Sequence, residues 1–163
     1  PSMLYRMLDD PEVAKHDLSS LQTMYYGASP MSPTRLKQLQ QRFGNIFIQL
    51  YGSSEHAGAV SVLSKAEHMP DASGSETHLS SAGRVVPGIE LMIVGEDGQP
   101  VATGEDGEIW MRSRAICMGY LNNPEKTAEE FCDGFWKSGD MGRLDEDGYL
   151  YLADRQTDMT TYS

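Results

Sequence analysis

The stretch that decides the fold runs from residue 46 to residue 55 and reads Ile46-Phe47-Ile48-Gln49-Leu50-Tyr51-Gly52-Ser53-Ser54-Glu55. Its apolar start predicts a buried strand of the parallel type, and open α/β sheets bind ligands at the carboxyl ends of such strands. The turn that follows combines an aromatic ring, hydroxyl groups and a carboxylate. These groups suit a nucleotide and its metal, with Tyr51 stacking on a base, Ser54 bonding a phosphate and Glu55 holding Mg²⁺. Alone, the turn also fits a capped loop with a solvated glutamate.

Residues up to about Ser64 read as an α/β unit. We predict a short turn or helix over residues 11–16, a strand over 22–26 and a second strand over 46–51. Between the strands, Ser32 as N-cap and Pro33 at the first position predict a helix that ends at Gly44. The order strand, helix, strand implies a right-handed crossover, which places the 27–30 loop and the 51–55 turn at one edge of the sheet. A nucleotide would lie at that edge.

After a polar span over residues 64–81, the pattern changes to short strands joined by turns. A strand over 89–94 runs into a Glu-Asp-Gly turn, and Asp-Gly pairs precede further strands at 108–111 and 149–153. Gly83-Arg84 is expected to open the first strand of this region. Asn123 is expected to cap a helix with its body over 127–131.

The fold class that follows is mixed, the end of a parallel-sheet α/β subdomain followed by a small, mostly antiparallel β-barrel or sandwich. Phe135 and Trp136 are expected in the core of the barrel. We predict three parts along the chain: a partial α/β subdomain over 1–82, a β-barrel subdomain over 83–155, and the start of a hinge or tail over 156–163.

Composition narrows the class of protein. The 163 residues are 39% hydrophobic, which is enough for a core. The net charge of −11, from 13 basic and 24 acidic residues, argues against binding to nucleic acid or to anionic membranes, since both need a concentrated positive field. No apolar run is long enough to form a transmembrane segment and nothing resembles a signal peptide, so we expect a cytoplasmic location.

The cysteines and histidines do not predict a metal centre. Cys117 and Cys132 lie in unrelated contexts without Cys-x-x-Cys spacing, so we expect reduced structural thiols. The four histidines lack the spacing of a zinc site. We consider a functional role for His56 because it follows Glu55. The alternative, which we expect, is a partly exposed histidine in a loop.

Further motifs occur in a fixed order along the chain. They are Gly27-Ala28-Ser29-Pro30, Gly119-Tyr120 followed by Pro124, Trp136-Lys137-Ser138-Gly139-Asp140, and Asp154-Arg155. Together with the 51–55 turn, this set resembles the adenylate-forming family, which includes acyl-CoA synthetases, luciferases and the adenylation domains of peptide synthetases. The fatty or medium-chain acyl-CoA synthetase branch fits best, through residues 17–21 and 30–33. The resemblance covers nearly all of the chain and implies an α/β subdomain followed by a distorted β-barrel.

The resemblance also implies roles for individual residues. Adenine would be lined by Ala28, Ser29 and Pro30. Tyr51 would stack on the base, Ser54 would touch the α-phosphate and Glu55 would bind Mg²⁺. The ribose hydroxyls would donate to Asp140 and accept from Arg155. The alternatives are that Asp140 is a turn residue and that Arg155 pairs with a neighbouring aspartate on the surface.

The same resemblance implies an acyl pocket and a hinge. The near side of the pocket would be formed by Tyr26, Gly27, His56, Ala57 and Gly58. Where the family usually shows an acidic or lysine hinge residue, this chain has Thr157. Ser54 also departs from the family, which commonly has Thr there, but it keeps the hydroxyl.

The function implied is that of an ATP-dependent acid:CoA ligase with a small-molecule carboxylic acid, ATP and CoA as substrates and Mg²⁺ as metal. Members of the family also carry an upstream Ser/Thr/Gly-rich phosphate loop and a downstream lid with a catalytic lysine, and neither motif occurs here. The chain also begins without Met. We therefore expect a piece of a larger enzyme that is inactive alone, and we assign no catalytic residue.

Two other functions remain open. A peptide-synthetase-type adenylation domain would need an acidic anchor for an amino group, which we do not identify. A noncatalytic nucleotide-binding or interaction module would keep the fold without the reaction. An exposed sheet edge could also drive self-association.

Overall fold

Two β-sheets organise the chain in this computed structural model, which describes residues 1–70, 74–75 and 77–153. The first sheet has the order β1 (Met24–Gly27), β2 (Phe47–Tyr51), β3 (Ser61–Leu63), β4 (Arg84–Val85). The second sheet contains β5 (Glu90–Val94), β6 (Gly107–Arg112), β7 (Phe131–Cys132), β8 (Phe135–Leu144) and β9 (Leu150–Leu152). Its order is β5-β6-β8-β7, with β9 also paired to β8, and every one of these pairings is antiparallel.

Helical elements connect and cover the strands. The α-helices are α1 (Ser2–Asp9), α2 (Pro33–Phe43) and α3 (Pro124–Glu130). Short 3₁₀ helices occupy Pro11–Lys15, Ala66–His68 and Thr77–Ser80. None of the helices in the described part of the chain has the length and apolar character needed to cross a bilayer.

The predicted strand, helix, strand unit is confirmed. Strands β1 and β2 are parallel neighbours, in register from Met24 opposite Phe47 to Gly27 opposite Leu50. Helix α2 connects them; the hydroxyl of Ser32 accepts from the backbone N–H of Arg35 at 3.5 Å, and the helix ends at Gly44 with φ of 82°. A left-handed φ suits glycine, which has no Cβ to clash.

Two apolar clusters form the core. The first packs α1 and α2 against β1 and β2 and includes the fully buried side chains of Leu36, Leu39 and Phe47. The second joins both sheets, because Tyr51 and Val60 pack with residues of the antiparallel sheet. Phe135 and Trp136 are buried, as predicted. The antiparallel sheet curls into a half-barrel, so the predicted mixed fold class is confirmed.

One of the local predictions was wrong and another was confirmed. Gly83-Arg84 does not open the barrel, because Arg84–Val85 pairs with β3 in the first sheet. The segment also contacts the second sheet, because Arg84 bridges Tyr149 and the backbones of Ala82 and Gly83 hydrogen-bond to that of Leu150. The predicted turn after Val94 is present, since the backbone N–H of Gly95 donates to the Gln99 carbonyl at 2.9 Å and Val94 bridges Pro100, while β5 itself pairs with β6. Helix α1 was not predicted, and the subdomain boundary at 82/83 stays a prediction.

A buried histidine ties β1 to the segment that follows β3. His68 is 1% exposed, its Nε2 lies 2.8 Å from the Tyr26 hydroxyl and its Nδ1 lies 2.7 Å from the carbonyl oxygen of Ser64. Since a carbonyl only accepts, Nδ1 carries the proton and Nε2 accepts from Tyr26. Burial lowers the pKa of His68, against the opposing influence of the Ser64 carbonyl and Glu67.

This network predicts a loss of stability in weak acid. The lowered pKa means that folded His68 binds fewer protons than unfolded His68, so its effect on stability is absent well above about pH 6.5 and grows as the pH falls through that value. Urea midpoints measured between pH 7.5 and 5.5 should fall more steeply for the wild type than for His68→Gln. Parallel profiles of the two proteins would contradict this prediction.

Candidate functional site

A cavity of about 470 Å³ opens where β1 and β2 end. Five residues that were predicted to contact a nucleoside line it together: Ala28, Ser29, Pro30, Tyr51 and Asp140. The first four come from the two neighbouring strand ends, and Asp140 comes from β8 of the other sheet. The cavity therefore lies where the two sheets meet.

The 27–30 loop is shaped by close backbone approach. A Cβ atom on Gly27 would lie 2.1 Å from the carbonyl oxygen of Leu50, so the pairing of β1 with β2 at this point requires glycine. The next residue, Ala28, has φ of 63°. That left-handed conformation costs an L-residue roughly 1–2 kcal/mol, so the surrounding structure must hold the loop in place.

Tyr51 and Asp140 are joined directly. The Tyr51 hydroxyl donates to Asp140 Oδ2 at 2.7 Å across 89 residues of sequence. The Tyr51 side chain is 8% exposed and packs with the shared core, which fixes its ring. The Asp140 backbone N–H donates to Ser138 Oγ at 3.1 Å, and Ser138 Oγ donates to the Ile109 carbonyl at 2.7 Å. The carboxylate is thus oriented from both sheets.

Ser54 and Glu55 lie beyond the residues that line this cavity. Ser54 is exposed, and Glu55 is half-buried with Oε1 accepting from the Tyr120 hydroxyl at 3.0 Å. The Glu55 carbonyl accepts from the backbone N–H of Cys117 at 2.8 Å, so the turn is tied to the 115–120 loop. This backbone hydrogen bond fixes the position of Glu55, which lies on the turn that follows Tyr51.

Tyr120 connects Glu55 to a second carboxylate, that of Glu130 at the end of α3. Glu130 Oε2 also accepts from Trp136 Nε1 at 3.2 Å, and Lys126 Nζ lies 3.4 Å from Glu130 Oε1. Burial raises the pKa of Glu130, but the hydrogen bonds from Tyr120, Trp136 and Lys126 outweigh it and leave the pKa below its ordinary value. Burial and the hydrogen bond to Glu130 raise the pKa of Tyr120.

A larger and more open concavity, of about 660 Å³, lies beside α3. The Met118, Tyr120, Leu121 and Phe131 side chains are among those that line it, and Met118 is 99% exposed. None of the five residues predicted to contact a nucleoside lines this concavity. The smaller cavity at the strand ends is therefore the candidate site.

The predicted acyl-pocket residues are not all together. Gly27 lines the cavity, while the Tyr26 hydroxyl is directed to His68. His56 is 4% exposed, so the expectation of a partly exposed histidine was wrong. Its backbone bridges Ile116, and its Nδ1 lies 3.3 Å from the Gly58 carbonyl oxygen. Ala57 and Gly58 are exposed. Arg155 and Thr157 lie outside the described residues.

The residues present fit a single-carboxylate magnesium site. Across residues 1–70, 74–75 and 77–153, no three His, Cys, Asp or Glu side chains cluster as a metal cage would require. Mg²⁺ commonly binds through one or two carboxylates, with substrate phosphates and waters completing its octahedron. Glu55, half-buried and hydrogen-bonded at one oxygen, is suited to that arrangement.

Comparison with known proteins shows which sequences this chain resembles. The model of the family described as "AMP-binding enzyme" matches residues 1–121. The medium/long-chain-fatty-acid–CoA ligase FadD8 of Mycobacterium tuberculosis is 43% identical over 98% of this chain and 27% of FadD8. The fatty acid–[acyl-carrier-protein] ligase ScoC of Streptomyces coeruleorubidus is 34% identical over 97% of this chain and 30% of ScoC. The chain thus spans less than a third of either relative.

A solved structure gives the same result for the fold. The amide bond synthetase McbA of Marinactinospora thermotolerans superposes with a TM-score of 0.85 at 35% identity, over 95% of this chain and 30% of McbA. The two-sheet arrangement described above is therefore shared with a solved enzyme structure.

The Tyr51 to Asp140 hydrogen bond should be measurable as a coupling between the two sheets. A double-mutant cycle of Tyr51→Phe, Asp140→Ala and the double variant should give a coupling free energy of about 1–3 kcal/mol in urea unfolding, since the acceptor is charged and the donor buried. A cycle that closes with no coupling would contradict the contact.

Proposed function

We propose, because the chain belongs to the AMP-binding enzyme family, that its protein is an AMP-forming, ATP-dependent acid:CoA ligase. One observation carries the proposal: the Tyr51 hydroxyl donates to Asp140 across a cavity that the 27–30 loop also lines. A nucleotide needs a site in which neighbouring groups contact its base, its ribose and its first phosphate. The name of the relative FadD8 supports a fatty acid as the substrate class.

Different residues of the cavity bind the base and the ribose of the nucleoside. Ala28, Ser29 and Pro30 line the adenine, and the fixed ring of Tyr51 stacks against it. Asp140 accepts hydrogen bonds from the ribose hydroxyls, and two carboxylate oxygens with several lone pairs suit a vicinal diol. The Tyr51 hydroxyl keeps this carboxylate in position while the base binds.

The phosphates then extend from Tyr51 along the turn. Ser54 is exposed there and donates to the α-phosphate, while Glu55 holds the magnesium. When bound, Mg²⁺ neutralises phosphate charge and so favours attack on the α-phosphate. The acid's carboxylate forms a bond to that phosphorus as pyrophosphate leaves. A thiol then attacks the acyl carbon and loses its proton to solvent, and AMP leaves.

The acid would approach from the side of Gly27, Ala57 and Gly58. These residues have little or no side chain, which leaves room for an acyl group beside the nucleotide. His56 is 4% exposed and does not line the cavity, so it would support this side of the pocket from behind.

A second candidate concerns the thiol acceptor. The similarity to ScoC favours transfer of the acyl group to a carrier protein instead of CoA. Adenylate formation is common to both candidates, so the nucleotide residues have the same roles in each. Comparing CoA with an acyl carrier protein as acceptor in the complete enzyme separates them.

The first test is binding of AMP to the chain itself. Calorimetric titration should show weak AMP binding, and Asp140→Ala should lower the affinity by at least about tenfold, because hydrogen bonds to a charged group are lost. The matched control is Glu96→Ala, which removes one negative charge from an exposed turn and should bind AMP as the wild type does. Equal affinities in wild type and Asp140→Ala would contradict the ribose role.

The second test concerns turnover by the 163 residues alone. We expect no fatty-acid-dependent release of pyrophosphate from MgATP, because the chain contains neither a Ser/Thr/Gly-rich phosphate loop nor a lid lysine to stabilise the transition state. The assay compares reactions with and without the acid. Acid-dependent pyrophosphate above the blank would show that these residues suffice, contrary to the prediction.

A further inference from the structure

The Tyr120 hydroxyl lies between two carboxylates from distant parts of the chain. It is 3.0 Å from Glu55 Oε1 and makes an even shorter contact with Glu130 Oε2. A phenol has a single proton, so it can donate to only one of these carboxylates at a time. One donor therefore serves two negatively charged acceptors.

Glu130 is the better anchored of the two partners. Its Oε2 also accepts from Trp136 Nε1 at 3.2 Å, and its Oε1 lies 3.4 Å from Lys126 Nζ, one helical turn earlier in α3. Lys126 Nζ also lies 4.9 Å from the centre of the Tyr120 ring. The buried indole and the helix therefore fix Glu130, and Glu130 in turn fixes the Tyr120 hydroxyl beside Glu55.

We infer that Glu130 is a positioning residue for the metal carboxylate Glu55, acting through Tyr120. This inference rests on the proposed role of Glu55 as the Mg²⁺ ligand. Without a cation, the Tyr120 hydroxyl is shared between the two carboxylates. When a cation occupies Glu55, the hydroxyl would donate to Glu130, and Glu55 Oε1 would be released from its hydrogen bond to Tyr120.

The negative charge of Glu130 should also strengthen cation binding at Glu55. The hydroxyl bridge brings the Glu130 carboxylate close to that of Glu55, so a cation at Glu55 experiences both negative charges. Lys126 partly offsets the second charge, since it lies beside Glu130. Cation affinity at Glu55 should therefore depend on residues that do not touch the cation.

The test uses the 163-residue chain and Tb³⁺ as a luminescent probe, with Mg²⁺ as competitor. The Tyr120 hydroxyl lies 3.0 Å from Glu55 Oε1, so its ring can sensitise Tb³⁺ emission and binding is read without any enzymatic activity. Glu130→Gln should weaken Tb³⁺ and Mg²⁺ binding by about fivefold to tenfold, as expected for loss of one nearby charge. The matched control is Glu129→Gln, the same charge change at the neighbouring exposed position of α3, which should stay within about twofold of wild type.

Lys126→Gln provides a second variant with the opposite sign. Removing the cation beside Glu130 should tighten Tb³⁺ binding, whereas damage to the fold would weaken it. If circular dichroism shows that Glu130→Gln does not fold, the Lys126→Gln variant still tests the inference. Weakening in Glu130→Gln together with tightening in Lys126→Gln supports the inference.

The outcomes separate this inference from the proposed function. If Glu55→Gln abolishes Tb³⁺ emission but Glu130→Gln behaves as Glu129→Gln does, Glu130 is not a positioning residue and the metal role of Glu55 stands. If Glu55→Gln binds Tb³⁺ as the wild type does, the metal role fails and the inference is overturned with it.

Discussion

The close pairing of Gly27 with Leu50 is the constraint on which the rest of the site depends. The carbonyl oxygen of Leu50 occupies the space that a Cβ atom on Gly27 would need. Because these residues end two parallel strands, their approach brings the 27–30 loop and the turn after Tyr51 to the same edge of the sheet. The cavity, the strained Ala28 and the position of the Tyr51 ring all follow from that register.

The second sheet supplies the remaining contacts of the site. Tyr51 belongs both to the cavity and to the apolar cluster that joins the sheets, so packing of the core and formation of the site are one event. Its hydroxyl reaches Asp140, and the Tyr120 hydroxyl similarly joins Glu55 to Glu130. Two tyrosines thus orient the two carboxylates that we propose bind the ribose and the metal. In each case the phenol supplies a directed donor at the end of a rigid side chain.

Local sequence signals predicted the part of the structure that local physics determines. The Ser32 cap and Gly44 end of α2, the β1 and β2 strands and the edge that they share were all predicted. Helix α1 was missed because no side chain caps its start, and β3 was missed because a strand of three residues leaves no periodic pattern. The strand at Arg84 was predicted but assigned to the wrong sheet, because its partner β3 was not foreseen. The burial of His56 and the contact of Glu55 with Tyr120 depend on a loop that lies some 60 residues away in sequence, and no spacing within either segment indicates them. The family resemblance predicted separate roles for Asp140 and Tyr51, but only the fold shows that their side chains are hydrogen-bonded to each other.

The most direct test of the account is a ¹H–¹⁵N correlation spectrum of the labelled chain during titration with AMP. The account predicts saturable shifts at the amides of Ala28, Ser29, Tyr51 and Asp140, which come from three separate segments, with little change on the exposed Gly95–Gln99 turn. Shifts confined to the concavity beside α3, or none at saturating AMP, would contradict the claim that these segments form one nucleotide site.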